Sequence, residues 1–227
     1  MSELLLSPEK ENISTADRIL DVATVFFARK GYHGTSIRDI AREVNLSVAT
    51  LYYYIQNKDD LYVKVFKRQY IEESEIIGNI LANATEATTR DPAALRDLIY
   101  RLIDALIERS VINPDIVRLW TWRWLERPEK TESIEAEYSI PLYQMVEKLL
   151  NQAQASGVIR PDISNLDMVS HSFTWLHYGY FGLGHLTFRT QVADLFQPRQ
   201  VEEFRTFIHT FVDRILRFTD QSQGFNG

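Results

Sequence analysis

The sequence predicts an all-α fold, and three observations carry that reading. Helix-capping residues recur ahead of apolar residues spaced three and four apart, along the whole chain. Strand-type alternation bounded by turn dipeptides is almost missing. The 227 residues are 45% hydrophobic and 12% aromatic, enough apolar surface to offset the ordering entropy of a compact chain.

The elements follow in order. Residues 1–13 are expected to form a flexible N-terminal arm. Ser14 or Thr15 caps a first helix that carries Ile19, Leu20, Ala23, Phe26 and Phe27 on one side and stops at Gly31. Ser36 starts a short second helix, with Asp39 in a capping-box position and Ile37, Ile40, Ala41 and Val44 facing inward. Asn45-Leu46 makes a turn, Ser47 caps a third helix from Val48 to about Ile55, and Asn57 caps a long fourth one running towards Leu81. Asp91-Pro92 and Asn113-Pro114 each pair a capping side chain with proline at the first helical position, giving helices over about 92–111 and 114–125. Further helices are expected over about 131–156 with a disturbance near Pro141, over about 166–185, and from Gln197-Pro198 to about Thr219. The count is about nine helices. The expected layout is a three-helix domain over 14–60, joined by the long fourth helix to a larger helical domain over 61–227.

Composition excludes several classes. With no Cys there are no disulfides, thiolate-ligated zinc sites or cysteine nucleophiles, which fits a reducing cytoplasm. Leu4-Leu5-Leu6 lacks the basic flank and length of a secretory signal, and no apolar run approaches the ~18 residues of a membrane helix. A cytoplasmic protein with no membrane partner is expected. The net charge of −6 is unevenly spread: residues 1–70 carry 10 Lys and Arg against 9 Asp and Glu, whereas 71–227 carry 15 against 22. A nucleic-acid-binding head needs only a local basic face, because phosphate attraction acts over a Debye length of ~8 to 10 Å.

Two short helices joined by a tight turn form a helix-turn-helix, whose second helix can project into a DNA major groove ~12 Å wide. Here that helix begins at Val48. Val48, Ala49 and Thr50 permit close approach to base edges, and Tyr52, Tyr53 and Tyr54 carry hydroxyls that reach phosphate or base. The bland alternative is a packed aromatic run from Tyr52 to Ile55. Consecutive helical residues point ~100° apart, so a short surface helix cannot bury all four.

The pattern Arg18-Ile19-Leu20, Ala23, Phe27, Gly31-Tyr32, Thr35-Ser36-Ile37, Ile40-Ala41, Leu46-Ser47, Thr50-Leu51-Tyr52, Lys58 and Leu61 resembles the N-terminal domain of TetR-family transcriptional regulators. The resemblance covers about a fifth of the chain, and two positions depart from it, Ala49 where Gly is usual and Ile55 where Phe is usual. It implies base contacts from Val48, Ala49, Thr50, Tyr52 and Arg38, and phosphate contacts from Thr35, Ser36, Tyr53, Tyr54 and Lys58, beside the capping Ser47. It also implies a homodimer on a palindromic double-stranded operator, released by a small apolar or amphipathic effector. Repressor and activator both remain open.

For the larger domain the resemblance implies an effector pocket and a dimer interface. Trp120, Trp124, Phe173, Trp175, His177, Tyr178 and Phe181 are the pocket candidates, each open to the alternative of plain core packing, with His171, Arg118 and Arg123 as further polar candidates. His171, His177 and His185 are spaced 6 and 8 apart, which does not suit a metal site, so no metal or cofactor is expected. Gly179, Gly182 and Gly184 suggest close helix packing or a break near the pocket. Phe204, Ile208, Phe211 and Ile215, with Phe207 and Phe218, recur at three-and-four spacing and suit a symmetric four-helix interface. A helical enzyme or small-molecule carrier is the rival reading, and it lacks a recognisable nucleophile, metal set or acid-base pair. An adaptor without DNA activity is a third, requiring an acidic or buried third helix.

Overall fold

The computed structural model describes residues 14–126, 135–160, 162–163, 165–183 and 194–218. The expected N-terminal arm, Gly184 and His185 therefore lie outside the described residues. Within them, nine α-helices and no β-strand are present: α1 (Thr15–Lys30), α2 (Ile37–Glu43), α3 (Val48–Leu51), α4 (Lys58–Leu81), α5 (Pro92–Ile112), α6 (Pro114–Glu126), α7 (Ile140–Ala155), α8 (Leu166–Leu183) and α9 (Pro198–Leu216).

Local chemistry sets most of the boundaries. Ser14, Ser36, Ser47, Asn57 and Asp91 each accept a backbone N–H from the first turn of the following helix, which satisfies donors that helix geometry leaves unpaired. The reciprocal half expected from Asp39 does not form; its carboxylate pairs with Arg42 at 2.6 Å. Gly31 ends α1 with φ of 68°, and a side chain there would strike Glu126 and Trp122. Asn45 closes α2 with φ of 57°, while the Leu46 N–H donates to Ala41 O at 2.9 Å, the six-to-one bond of a helix-ending turn.

One element differs from expectation, and two readings left open are decided. The third helix is α-helical only through Leu51; Tyr53 N–H and Tyr54 N–H then bond three residues back, so the chain from Tyr52 to Tyr54 tightens into turns. Around Pro141, a π-type turn over Glu135–Ser139 precedes α7, which puts the proline in the helix's first turn, where its missing N–H is harmless. No break occurs at Gly179 or Gly182 in α8. A Cβ at Gly182 would meet Thr121 and Val117, so this glycine lets α8 approach α6 closely.

The apolar interior divides into two clusters. One contains Ile19, Phe27, Ile40, Leu51, Leu61, Tyr62 and Phe66 from the first four helices together with Ile116, Leu119 and Trp120 of α6. The other joins α4, α5, α7, α8 and α9 through residues such as Ile77, Leu98, Ile107, Leu149, Phe181, Phe204 and Ile208. The head thus shares its core with α6 and is not a free-standing trihelix.

The left-handed backbone at Asn45 gives a direct test. Asn45→Ala should destabilise the fold by ~1 kcal/mol, whereas Asn45→Gly should leave its stability unchanged or raise it by a few tenths, in urea unfolding followed by circular dichroism.

Candidate nucleic-acid interface and internal cavity

The surface of the helix-turn-helix is fixed by two buried anchors. Leu51 and Ile55 are both buried, four residues apart and so one turn apart, and the three tyrosines between them point outward. Tyr53 is 88% exposed, and Tyr52 and Tyr54 are also exposed. Val48 and Thr50 are half-buried and Ala49 is exposed. The Ser47 and Thr50 hydroxyls share a hydrogen bond of 2.7 Å while Ser47 Oγ accepts the Thr50 N–H at 2.9 Å, so both start the helix as well as face outward. Lys64 holds the far side of this turn, donating to Tyr54 O and Asp60 at 2.9 Å each.

The remaining head residues separate by environment. Arg38 is exposed, and Ser36 spends its hydroxyl on the Arg38 N–H at 3.2 Å. Thr35 is buried and donates to Gly31 O at 2.7 Å, so the phosphate contact expected of it is corrected to a structural role, tying the loop after α1. Lys58 lies at the N-terminus of α4, its ammonium 4.3 Å over the Tyr32 ring. Burial lowers its pKa, opposed by Glu126 and Asp59. The Tyr32 hydroxyl donates to Asp59. Arg18, unassigned from sequence, donates to Val44 O at 3.3 Å and holds the C-terminus of α2.

A cavity of about 660 Å³ lies among α4 to α9. Of the pocket candidates, Trp120, Trp124, Phe173, Trp175, His177 and Tyr178 line it, as do His171 and Arg123. Two candidates do not. Phe181 is buried against Phe196 and Phe204 in the core, and Arg118 is a surface residue bonded to Asp115 at 3.0 Å. Glu73, Arg109 and Ser110 also line the cavity, and sequence reading missed all three. Arg109 donates to Glu73 at 3.4 Å and to Gln69 O and Oε1 at 3.0 Å each. Burial raises the Glu73 pKa, and the Arg109 charge opposes that rise.

His177 is buried, with Nε2 2.9 Å from Ser110 Oγ and Nδ1 without a partner. Burial pushes its pKa down from 6.5 to about 3, with the Arg109 charge acting in the same direction, so it is neutral at pH 7.

The last two helices correct part of the expected dimer surface. Phe204 and Ile208 are buried in the subunit's own core, where Phe204 stacks on Tyr180 at 4.3 Å. Ile215 remains exposed, Phe211 is half-buried, and the exposed Phe207 ring lies 6.3 Å from the Phe211 ring. No group of His, Asp or Glu able to hold a metal ion occurs among the described residues. None of their helices is long and apolar enough to cross a membrane.

Comparison with known proteins completes this geometry. Residues 19–65 match the family model for bacterial regulatory proteins of the tetR family, and residues 96–212 match that for the tetracyclin repressor-like C-terminal domain. The chain belongs to the TetR family. It is similar to the biofilm operon negative regulator IcaR of Staphylococcus epidermidis, with 46% identity over 48 residues, 21% of this chain and 26% of that protein. The same regulator in Staphylococcus aureus strain Newman is 30% identical over 95 residues, 42% of this chain and 49% of that protein. The chain therefore spans between a quarter and a half of the length of these curated relatives.

Among solved structures, the haemolysin II regulator HlyIIR is 26% identical with a TM-score of 0.60, over 91% of this chain and 98% of that one. A regulator from Saccharomonospora viridis, solved with choline, is 24% identical with a TM-score of 0.66, over 87% of this chain and 95% of that one. The matched N-terminal segment ends within α4, and the head's core continues past it to Phe66 and Tyr70.

The depressed pKa of His177 sets a pH dependence. Its stabilising neutral form is fully present above pH 6.5, and its contribution is lost as pH falls towards 3. Between pH 7 and pH 4 the wild type should lose more thermal stability than His177→Gln, in paired melting curves across that range.

Proposed function

We propose that this TetR-family chain is a ligand-responsive repressor, binding a palindromic operator as a dimer and released by a small apolar or amphipathic effector. On this reading residues 14–60 are the DNA-binding unit and 61–227 bind effector and partner. The negative regulator IcaR, similar over 48 residues, supports repression. DNA binding would make the cytoplasm its place of action.

The observation that carries the reading is the position of α6. Its Ile116, Leu119 and Trp120 belong to the head's core, while Trp120, Arg123 and Trp124 line the cavity. At its C-terminal end Glu126 accepts the Tyr32 N–H at 2.6 Å and the His33 N–H at 3.4 Å, and near its start Asp115 pairs with Arg29 at 3.5 Å. One rigid helix of 13 residues therefore touches both the ligand space and the loop that precedes α2. An effector that fits the cavity in one α6 position better than another shifts the head by that difference in affinity, and by no more.

In the head, Val48, Ala49, Thr50, Tyr52 and Arg38 are the proposed base-facing residues, and Ser36, Ser47, Tyr53, Tyr54 and Lys58 the proposed backbone-facing ones. Bases are read by the small side chains, whereas the tyrosine hydroxyls and Lys58 give sequence-independent phosphate contacts. Phe207, Phe211 and Ile215 on α9 supply the exposed apolar surface for a second subunit. Other proteins of this fold are solved in complex with choline, or with isovaleryl coenzyme A and operator DNA, which supports a small-molecule effector without identifying it.

Gel-shift titration with the promoter regions of its own and the adjacent gene tests this. Binding should be sequence-selective and weaken steeply with salt. Tyr53→Phe should weaken binding to all sequences alike, and Thr50→Ala should change the preferred sequence. Absence of selective, salt-sensitive binding sinks the proposal. Phe207→Asp with Phe211→Asp should yield a monomer in sedimentation analysis with much reduced operator affinity.

A further inference from the structure

The backbone groups on either side of the buried Ile55 are tied to one pair of side chains on α4. Lys64 Nζ donates to Tyr54 O at 2.9 Å, and Asp60 Oδ2 accepts the Gln56 N–H at 2.9 Å. Lys64 and Asp60 also bond each other across one helical turn, again at 2.9 Å. Asn57 accepts the Asp60 N–H at 2.9 Å, which fixes the turn of α4 that carries Asp60. Together these bonds close a clasp where the proposed DNA-facing segment joins α4.

That segment needs an outside tie. α3 is only four residues long, and the bonds from Tyr53 N–H to Thr50 O and from Tyr54 N–H to Leu51 O span three residues, a geometry poorer than that of an α-helix. The Ile55 N–H reaches Leu51 O at 3.3 Å. A carbonyl at the end of a helix has no later N–H of that helix to accept, and Tyr54 O takes the Lys64 ammonium in its place. Leu51 and Ile55 hold the chain to the core, but apolar burial is non-directional and does not fix the rotation of the turn between them.

Stability is not what the clasp chiefly supplies. The Lys64 and Asp60 side chains remain 43% and 21% exposed, and an exposed ion pair four residues apart contributes little. Lys64 is not a spare cation for phosphate either. Its ammonium already donates to a carbonyl and to a carboxylate, and the carboxylate offsets its charge.

We propose that Lys64 and Asp60 are positioning residues for operator binding, holding Tyr53 and Tyr54 in their DNA-facing arrangement without touching phosphate themselves. This rests on the reading of Val48 to Lys58 as the DNA surface. Without the clasp only a fraction of the molecules presents the tyrosines in that arrangement, and the apparent affinity falls by the same fraction.

The signs of charge effects separate positioning from direct contact. Lys64→Met keeps the stem and removes the ammonium. Asp60→Ala removes a negative charge beside the DNA, which through charge alone strengthens binding. In gel-shift titrations both variants, checked for folding by circular dichroism, should bind the operator about tenfold more weakly than wild type, as a competent fraction of about one tenth requires. The charge-balanced double variant should be weakened at least as much as either single one. Across a salt series Lys64→Met should keep the wild-type slope of log K against log salt, whereas loss of a phosphate contact would reduce its magnitude by ~0.9.

Hydrogen exchange in the free protein gives a readout that needs no DNA. Residues 52–57 should exchange faster in all three variants than in wild type, with α1 and α2 unchanged.

Wild-type affinity in Lys64→Met, stronger binding by Asp60→Ala, a double variant restored to wild type, a slope reduced by ~0.9, or unaltered exchange over residues 52–57 would overturn the inference. A wild type without selective operator binding overturns the DNA-surface reading and this inference with it. A wild type that binds selectively while the variants match it overturns this inference alone.

Discussion

Trp120 is the residue through which the two halves of the molecule hold one another. Its ring lies 5.0 Å from Phe66, 4.6 Å from Tyr70 and 6.4 Å from Tyr178, so a single side chain packs on α4 below the head and on α8 beside the cavity. A packed interior does not deform continuously, because its side chains interdigitate at crystal-like density. Any displacement of α6 must repack this aromatic cluster as a unit, which is the property a two-state element needs. Gly182 adds to the constraint by letting α8 lie directly on Val117 and Thr121, so α6 is gripped from the cavity side as closely as from the head side.

The second tie is electrostatic. Arg109 on α5 reaches both the main chain and the side chain of Gln69 on α4 and pairs with Glu73 one turn further on. A buried ion pair adds little net stability, since desolvation offsets the Coulomb attraction, yet removing one partner leaves an uncompensated charge and costs ~3 to 5 kcal/mol. Such a pair fixes geometry more than it stabilises. Here it registers α5 against the middle of α4, the helix whose first turn carries Lys58 at the proposed DNA surface.

What the sequence made legible is what local chemistry decides. Ser14, Ser36, Ser47, Asn57 and Asp91 cap helices because a short polar side chain next to an unpaired N–H works without tertiary help. The aromatic wall was legible in part, through the pocket candidates Trp120, Trp124, Phe173, Trp175 and Tyr178, all of which line the cavity. Glu73, Arg109 and Ser110 were not, because charged and hydroxyl residues on helices ordinarily mark solvated faces, and only the fold brings positions 36 and 67 residues apart into contact. Phe204 and Ile208 read as outward-facing from sequence for a related reason. Three-and-four spacing marks an apolar face, and it does not say whether the same chain or a second one covers it.

The three consecutive tyrosines follow from the same distinction between a pattern and its surroundings. Leu51 and Ile55 are one helical turn apart and both buried, which aims the residues between them away from the core whatever their identity. Aliphatic residues there would leave apolar surface in water with nothing to bond. Tyrosine exposes a ring as well, but each ring ends in a hydroxyl able to bond phosphate, and it loses little conformational freedom when it does. The tightened turns from Tyr52 to Tyr54, held by Lys64 on the Tyr54 carbonyl, restrict that surface before any partner arrives. A short helix braced at both ends can present small residues to base edges while its flanking hydroxyls fix its depth, and the proposed function asks for bracing of this kind if a displacement of α6 is to reach the proposed DNA-facing side chains undiminished.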